Sequence, residues 1–305
     1  MDFTPLLIAA KPAAKPNTIK TYNTVLKTIY KKVFGETDAP DIENFRNLEA
    51  VFRHTKDDPL QTRKTKLSAI MALAPMAEYR EQIFKDSQQH KKLTEASVMT
   101  KKLEAAEIKP DEMAGVVARV KTNADALNRK SELTMRDIQE IQNYIIVSLY
   151  HGHIPPRRAI DFTEMVLKAE DPDTENYIDM RKSKFVFNKY KTASAYGTQE
   201  VAIPPALKKI LKKWIAMIPD DVEYLLFNSK REPLTAVTLN QRLNEIFGPT
   251  KGVNSLRHYY LTQNHAQTIR GEDKLAAEMT AMGSNISNAR AYIKVNPRND
   301  LEASV

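Results

Sequence analysis

Apolar residues recur along this chain at intervals that change from helical to alternating and back. From Thr18 to Phe34, residues Ile19, Tyr22, Leu26, Ile29, Tyr30 and Val33 fall three or four apart and predict an amphipathic helix. Asn17 or Thr18 is placed to cap its start and Gly35 its end. A second helix is predicted from Thr62, with Leu67, Ile70, Met71 and Ala74 inward and Pro75 as its stop. Between about Gln88 and Lys130 the pattern weakens and charge dominates, which reads as helical connectors. Strong periodicity resumes at Thr134, where Ile138, Ile141, Ile145 and Leu149 form one stripe and Asp137 is spaced to complete a capping box. Lys184 to Thr192 and Gln199 to Ile203 read as strands around a turn containing Gly197. Pro204 and Pro205 then open a helix with Leu207, Ile210, Leu211, Trp214 and Ile218 inward. From Thr235 to about Val295 the chain reads as helical, with breaks near Gly248 to Gly252, Gly271 and Gly283. The expected fold is mainly α with a small β-sheet. Residues 1–90 form an N-terminal helical domain, 91–130 a helical connector and 131–305 a second domain.

Composition narrows the chemistry. The 305 residues suit two domains, each able to bury a core. With no Cys, a disulfide framework, a thiolate zinc site and a cysteine nucleophile are excluded. The eight Gly form neither a dinucleotide-binding turn nor a phosphate-cradling loop. The apolar patch Leu6 to Ala10 has no basic residue ahead of it, and the stretch around Tyr144 to Tyr150 is too short to span a bilayer. The chain therefore reads as an intracellular protein with no signal peptide or transmembrane segment. It holds 46 Lys and Arg against 38 Asp and Glu, a net +8. Residues 1–130 carry 23 against 17, a surplus of +6, and the remainder 23 against 21, a surplus of +2. A polyanion is the partner this balance favours, through the basic first part.

The six His residues contain no metal-binding helix motif, and His151 and His153 lack a neighbouring carboxylate set, so no metal site is expected. Three other segments carry chemistry. One is Asn254-Ser255-Leu256-Arg257-His258; the second runs from Met282-Gly283-Ser284 to Tyr292; the third is Pro155-Pro156-Arg157-Arg158-Ala159-Ile160-Asp161, with Met165 after it. In this order the chain resembles the tyrosine recombinases, the family of phage-type integrases, and among them the divergent members from eukaryotic viruses and mobile elements. The resemblance implies a catalytic domain over residues 131–305 and a helical core-binding domain before it. It implies Arg158 and Arg257 as the paired arginines, Tyr292 as nucleophile and Lys191 as the lysine near the hairpin turn. Arg157 and Lys189 remain as alternatives at two of these positions, Lys189 on the same face of the predicted strand. Asn254 stands where the family usually has His, and Ser284 where it usually has His or Trp.

The residue types suit phosphoryl transfer. A phosphodiester resists attack because it is anionic, and two permanently charged guanidiniums can bind its nonbridging oxygens without a metal or cofactor. A phenol with an ordinary pKa of about 10 needs cations nearby to attack as phenolate. Tyr292 would attack phosphorus, Lys191 would protonate the departing 5′ oxygen, and a 3′-phosphotyrosyl bond would conserve the energy for rejoining. Asn254 can donate a hydrogen bond to phosphate but cannot act as a base. Hence a catalytically impaired DNA-binding relative is one alternative, and a type IB topoisomerase another. The basic clusters with Lys20, Arg63, Lys64 and Lys66 are the expected phosphate contacts of the N-terminal domain. The implied partners are double-stranded DNA and further copies of the chain, as a tetramer on paired sites.

Overall fold

The computed structural model describes residues 1–95 and 101–282. It is mainly helical with a three-stranded antiparallel sheet, and it divides into two compact units, 1–100 and 101–305.

The first unit holds α1 (Thr4–Ala10), α2 (Pro16–Val33), a short 3-10 turn (Ile42–Arg46), α3 (Leu48–Thr55), α4 (Leu60–Leu73) and α5 (Ala77–Glu95). Lys15 is extended and Pro16 takes the first helical position of α2, so no side chain caps this helix. The start expected at Asn17 or Thr18 moves upstream because a proline there is pre-set for helix and has no N–H to leave unpaired. Gly35 follows the end of α2 with φ +94°, a conformation that glycine adopts without strain. The core gathers Phe3, Tyr30 and Phe45, with Leu7 of the apolar N-terminal patch packed beneath them. Tyr79 of α5 closes it, donating a hydrogen bond to the Phe45 carbonyl at 2.5 Å.

The second unit contains α6 (Lys101–Ala105), α7 (Pro110–Leu127), α8 (Met135–Tyr150), α9 (Ala159–Thr163), the sheet, α11 (Pro205–Ile215), α12 (Ala236–Phe247) and α13 (Val253–Ala281). Helix α7 falls in the stretch read as a connector. It delivers Met113, Val116, Val120 and Ala124 to the same core as the stripe of α8. The Thr134–Asp137 capping box is present at the start of α8. Trp214 of α11 stacks on Phe227 and donates to the Leu225 carbonyl. Helix α13 runs through Gly271 without the expected break. No atom lies within 4 Å of a side chain added there, and an exposed mid-helix glycine costs only about 1 kcal/mol.

The sheet is β1 (Tyr177–Asp179), β2 (Lys184–Phe187) and β3 (Gln199–Ala202), with β2 central. The last β2–β3 pair is Phe187 with Gln199. Strand β2 therefore ends five residues before Thr192, where the sequence pattern ends it. The Asn176 side chain takes the N–H groups of Asn188 and Lys189, which turns the chain away from the ladder. Residues 188–198 form a connection that contains α10 (Ala193–Tyr196). Phe162 of α9 is fully buried and touches Tyr150, Phe185 and Phe187 edge-on, so α8, α9 and the sheet meet at one aromatic centre.

Candidate functional site

The site grows from the loop that joins α8 to α9. Pro155 and Pro156 forbid helix there, and Arg158 is extended (φ −69°, ψ 156°) as the N-cap of α9. The two adjacent arginines consequently diverge. Arg157 turns inward: Nε donates to Asp161 Oδ2 at 2.9 Å, Nη1 to Gln199 Oε1 at 2.5 Å, and the guanidinium lies 4.1 Å from the Phe187 ring centre. Arg158 is half-buried and makes no ion pair or side-chain hydrogen bond among the described residues.

Asp161 is buried. Its Oδ2 is held by Arg157, while its Oδ1 has no hydrogen-bond partner among the described residues. Burial pushes its carboxyl above the ordinary range, and the charges of Arg157 and Arg158 pull the other way. The Tyr150 hydroxyl, at the end of α8, is likewise buried and without a partner. Burial raises its pKa most, Asp161 raises it further, and Arg257 lowers it. Tyr150 thus lies in the field of two segments far apart in sequence, α9 behind Arg158 and the first turns of α13.

Helix α13 is seated by a close approach. Asn240 of α12 accepts a hydrogen bond from Val253 N at 2.9 Å, and a side chain on Gly252 would come within 2.3 Å of Asn240 Oδ1. Arg257 is half-buried in this helix, Asn254 is exposed one turn earlier on the same side, and His258 is exposed about 100° around.

The β2–β3 connection carries the lysines. Both lie beyond the end of β2, so they share no strand face, contrary to the sequence expectation. Lys189 pairs with Glu164 at 2.6 Å, whereas Lys191 is exposed with no ion pair among the described residues. Asn176 ties the backbone of this connection to that of Asp161, through 2.8 Å to the Lys189 carbonyl and 3.2 Å to the Asp161 carbonyl. Sequence reasoning misses Asn176 and Tyr150 because neither lies in a motif; a polar residue just before a strand is the only local signal for the first.

Ser284 and Tyr292 lie outside the described residues. In the first unit, Arg63 of α4 forms a two-point ion pair with Asp86 of α5, at 2.8 and 2.5 Å. Lys66 pairs with Asp58 at 2.7 Å. Lys20 is exposed and Lys64 half-exposed, neither with an ion pair among the described residues. Among the described residues no three His, Asp or Glu side chains are grouped to hold a metal ion, and no helix is long and apolar enough to cross a membrane. A cavity of about 250 Å³ between α7, α8 and α11 is lined by none of the candidate site residues.

No family model and no curated protein matches the chain. Among solved structures it is similar to XerA recombinase, at 12% identity over 99% of this chain and 95% of that one, with a TM-score of 0.36. It is also similar to XerH site-specific recombinase bound to difH substrate in a pre-cleavage complex, at 15% identity, 98% and 82% coverage and a TM-score of 0.44. The corresponding values for a XerH post-cleavage complex with palindromic difH are 14%, 86% and 72%, and 0.43.

Proposed function

We propose that this chain is a site-specific DNA recombinase that cuts and rejoins duplex DNA through a 3′-phosphotyrosyl intermediate. The observation that supports the reading is the internal engagement of Arg157, with Asp161 and Gln199, and of Lys189, with Glu164, beside an Arg158 and a Lys191 that make no ion pair among the described residues. The direction in which Arg257 of α13 and Asp161 of α9 shift the buried Tyr150 hydroxyl agrees with it. Asp161 in turn feels Arg158 at the cap of α9.

Arg158 and Arg257 bind the nonbridging oxygens of the scissile phosphate and stabilise the charge of the in-line transition state. Asn254, on the side of α13 that carries Arg257, donates a further hydrogen bond. Tyr292 attacks phosphorus, the bond to the 5′ oxygen breaks, and Lys191 gives that oxygen its proton. The arginine and lysine assignments follow from what is already engaged. Arg157 is committed to Asp161 and Gln199, and Lys189 to Glu164, which leaves Arg158 and Lys191 for substrate. Ser284, where the family usually has His or Trp, offers a hydroxyl in place of a ring nitrogen. Attack of a second 5′ hydroxyl on the phosphotyrosine reverses the step and rejoins the strands.

In the N-terminal helical region the phosphate contacts fall to Lys20 and Lys64. Arg63 and Lys66 support them by fixing α4, since their charges are paired internally. Paired sites and strand exchange require several copies of the chain, a tetramer in the simplest arrangement.

Plasmids carrying paired copies of the ends of the DNA element that encodes the chain test this function. Exchange between the copies is the expected result. Relaxation without exchange would assign a type IB topoisomerase activity instead. Salt-sensitive binding with neither product would assign a catalytically impaired relative, the reading that Asn254, an exposed amide in place of a base, favours.

A further inference from the structure

We propose that Asn176 is a positioning residue for the general acid: it fixes the backbone from which Lys191 reaches the departing 5′ oxygen. The inference rests on the strand-exchange reading above and adds a residue that lies in none of its motifs.

Asn176 stands just before β1 and is 2% exposed. Its Oδ1 accepts from Asn188 N at 2.9 Å and from Lys189 N at 2.8 Å. Its Nδ2 donates to the Lys189 carbonyl at 2.8 Å and the Asp161 carbonyl at 3.2 Å. An amide offers two donor hydrogens and two acceptor lone pairs, and here all four are used. Neither Asp nor Leu of similar size can make this set, because Asp lacks the donors and Leu lacks both. The Asn176 backbone is itself fixed, its carbonyl accepting from Val166 N at 2.9 Å.

The amide grips both backbone groups of Lys189, two residues before Lys191, and the carbonyl of Asp161, three residues after Arg158. Arg158 and Lys191 are therefore joined by two short backbone segments with one buried side chain between them. Beyond Lys189 the connection is mostly exposed. It is further restrained by the Tyr190 hydroxyl on the Gly197 carbonyl at 2.7 Å, by Thr198 on Asn188 at 2.7 Å, by Asn188 Nδ2 on the Pro172 and Glu175 carbonyls at 2.7 and 2.8 Å, and by the Lys189–Glu164 ion pair. Of these only the Lys189–Glu164 ion pair reaches α9, at its C-cap, and it does so through two exposed side chains rather than through backbone. Arg157, through Gln199 and the Phe187 and Tyr190 rings, holds the sheet side of the same junction.

Proton transfer is sensitive to this distance. In the cleavage step the Tyr292 hydroxyl gives its proton to solvent as its oxygen bonds to phosphorus, the P–O5′ bond breaks, and a proton passes from the Lys191 ammonium to the 5′ oxygen. The lysine is left neutral and regains its proton from solvent. A misplacement of about 1 Å costs on the order of 100-fold in rate. If the 5′ oxygen is replaced by sulfur, the leaving thiolate is stable near neutral pH and needs no proton, since thiols ionise near pH 8.5. Sulfur substitution therefore separates loss of the general acid from any other damage.

The test compares cleavage of nicked duplexes with oxygen or sulfur at the bridging 5′ position by the full chain, its Asn176→Ala and Asn176→Asp variants, and Lys191→Ala. Asn176→Ala is expected to slow cleavage of the oxygen duplex by about 10- to 100-fold, and the sulfur duplex should be cut at the wild-type rate. Asn176→Asp keeps the two acceptor contacts but sets a carboxylate oxygen against the Lys189 and Asp161 carbonyls, and should show the same rescue by sulfur. Equal slowing on both duplexes would reduce Asn176 to a purely structural role, and an undiminished rate on oxygen would remove it from the reaction. Absence of cleavage by the wild-type chain on either duplex would overturn the strand-exchange reading and this inference with it.

Discussion

Arg157 and Asp161 form an ion pair of 2.9 Å that is nearly closed to solvent, the two side chains being 15% and 2% exposed. The adjacent Arg158 has no such partner among the described residues, and in the proposed function it is this arginine that binds phosphate while Arg157 builds the site. Arg157→Ala leaves a buried carboxylate without its cation and should destabilise the second unit by about 3 kcal/mol. Arg158→Ala should change stability by less than about 0.5 kcal/mol. It should nevertheless slow DNA cleavage by about 10²- to 10³-fold. Denaturant unfolding alongside a cleavage assay separates the two; a stability loss on Arg158→Ala equal to that of Arg157→Ala would reverse the assignment.

The same division applies in the first unit. Asp86 is 1% exposed and depends on Arg63, so Arg63→Ala should cost about 3 kcal/mol of stability. Lys20→Ala and Lys64→Ala should leave stability unchanged. Each should reduce the slope of log affinity against log salt for duplex DNA by about 1. Fluorescence anisotropy across a salt series measures this, and unchanged slopes would place the phosphate contacts elsewhere.

Asp137 provides a pH-dependent contribution. Hydrogen bonds from Lys130 and Thr134 hold its carboxyl down to about 2, below the unfolded value of about 3.9. A lowered carboxylate pKa stabilises the fold above the unfolded value, and the contribution disappears as pH falls through the folded one. The difference in Tm between wild type and Asp137→Asn should be constant from pH 7 to about 5 and shrink as pH falls from about 4 to about 2. A difference that persists in strong acid would contradict the ion-pair origin.

The two lysines of the β2–β3 connection should behave differently. Lys191→Ala should lower cleavage by about 10²- to 10⁴-fold, the usual contribution of a general acid. Lys189→Ala removes an exposed ion pair to Glu164 and should have an effect of less than about 10-fold. The ratio of the two rates decides between them, and a larger loss for Lys189 would transfer the acid role to it.

Features set by neighbours in sequence were readable in advance. The Thr134–Asp137 capping box, the inward stripe of α8 and the Pro204–Pro205 opening of α11 each depend on residues a turn or less apart. Features set by distant partners were not. Asp86 is 23 residues from Arg63, Gln199 is 42 from Arg157, and Asn176 reaches forward 13 residues to Lys189 and back 15 to Asp161. The same blindness lengthened β2 on paper: alternation continues past Phe187, but Asn176 captures the next two N–H groups. It also placed a break at Gly271, where an exposed glycine merely weakens a helix that continues.

The proposed reaction turns on a covalent bond between Tyr292 and DNA. Nicked suicide duplexes, incubated with the wild-type chain and with Tyr292→Phe in the presence and absence of EDTA, measure it directly by protein–DNA adducts on denaturing gels. The expected result is an adduct that forms equally with EDTA and is absent from the variant. An adduct that persists in Tyr292→Phe, or none from the wild-type chain on any duplex, would overturn the proposed reaction.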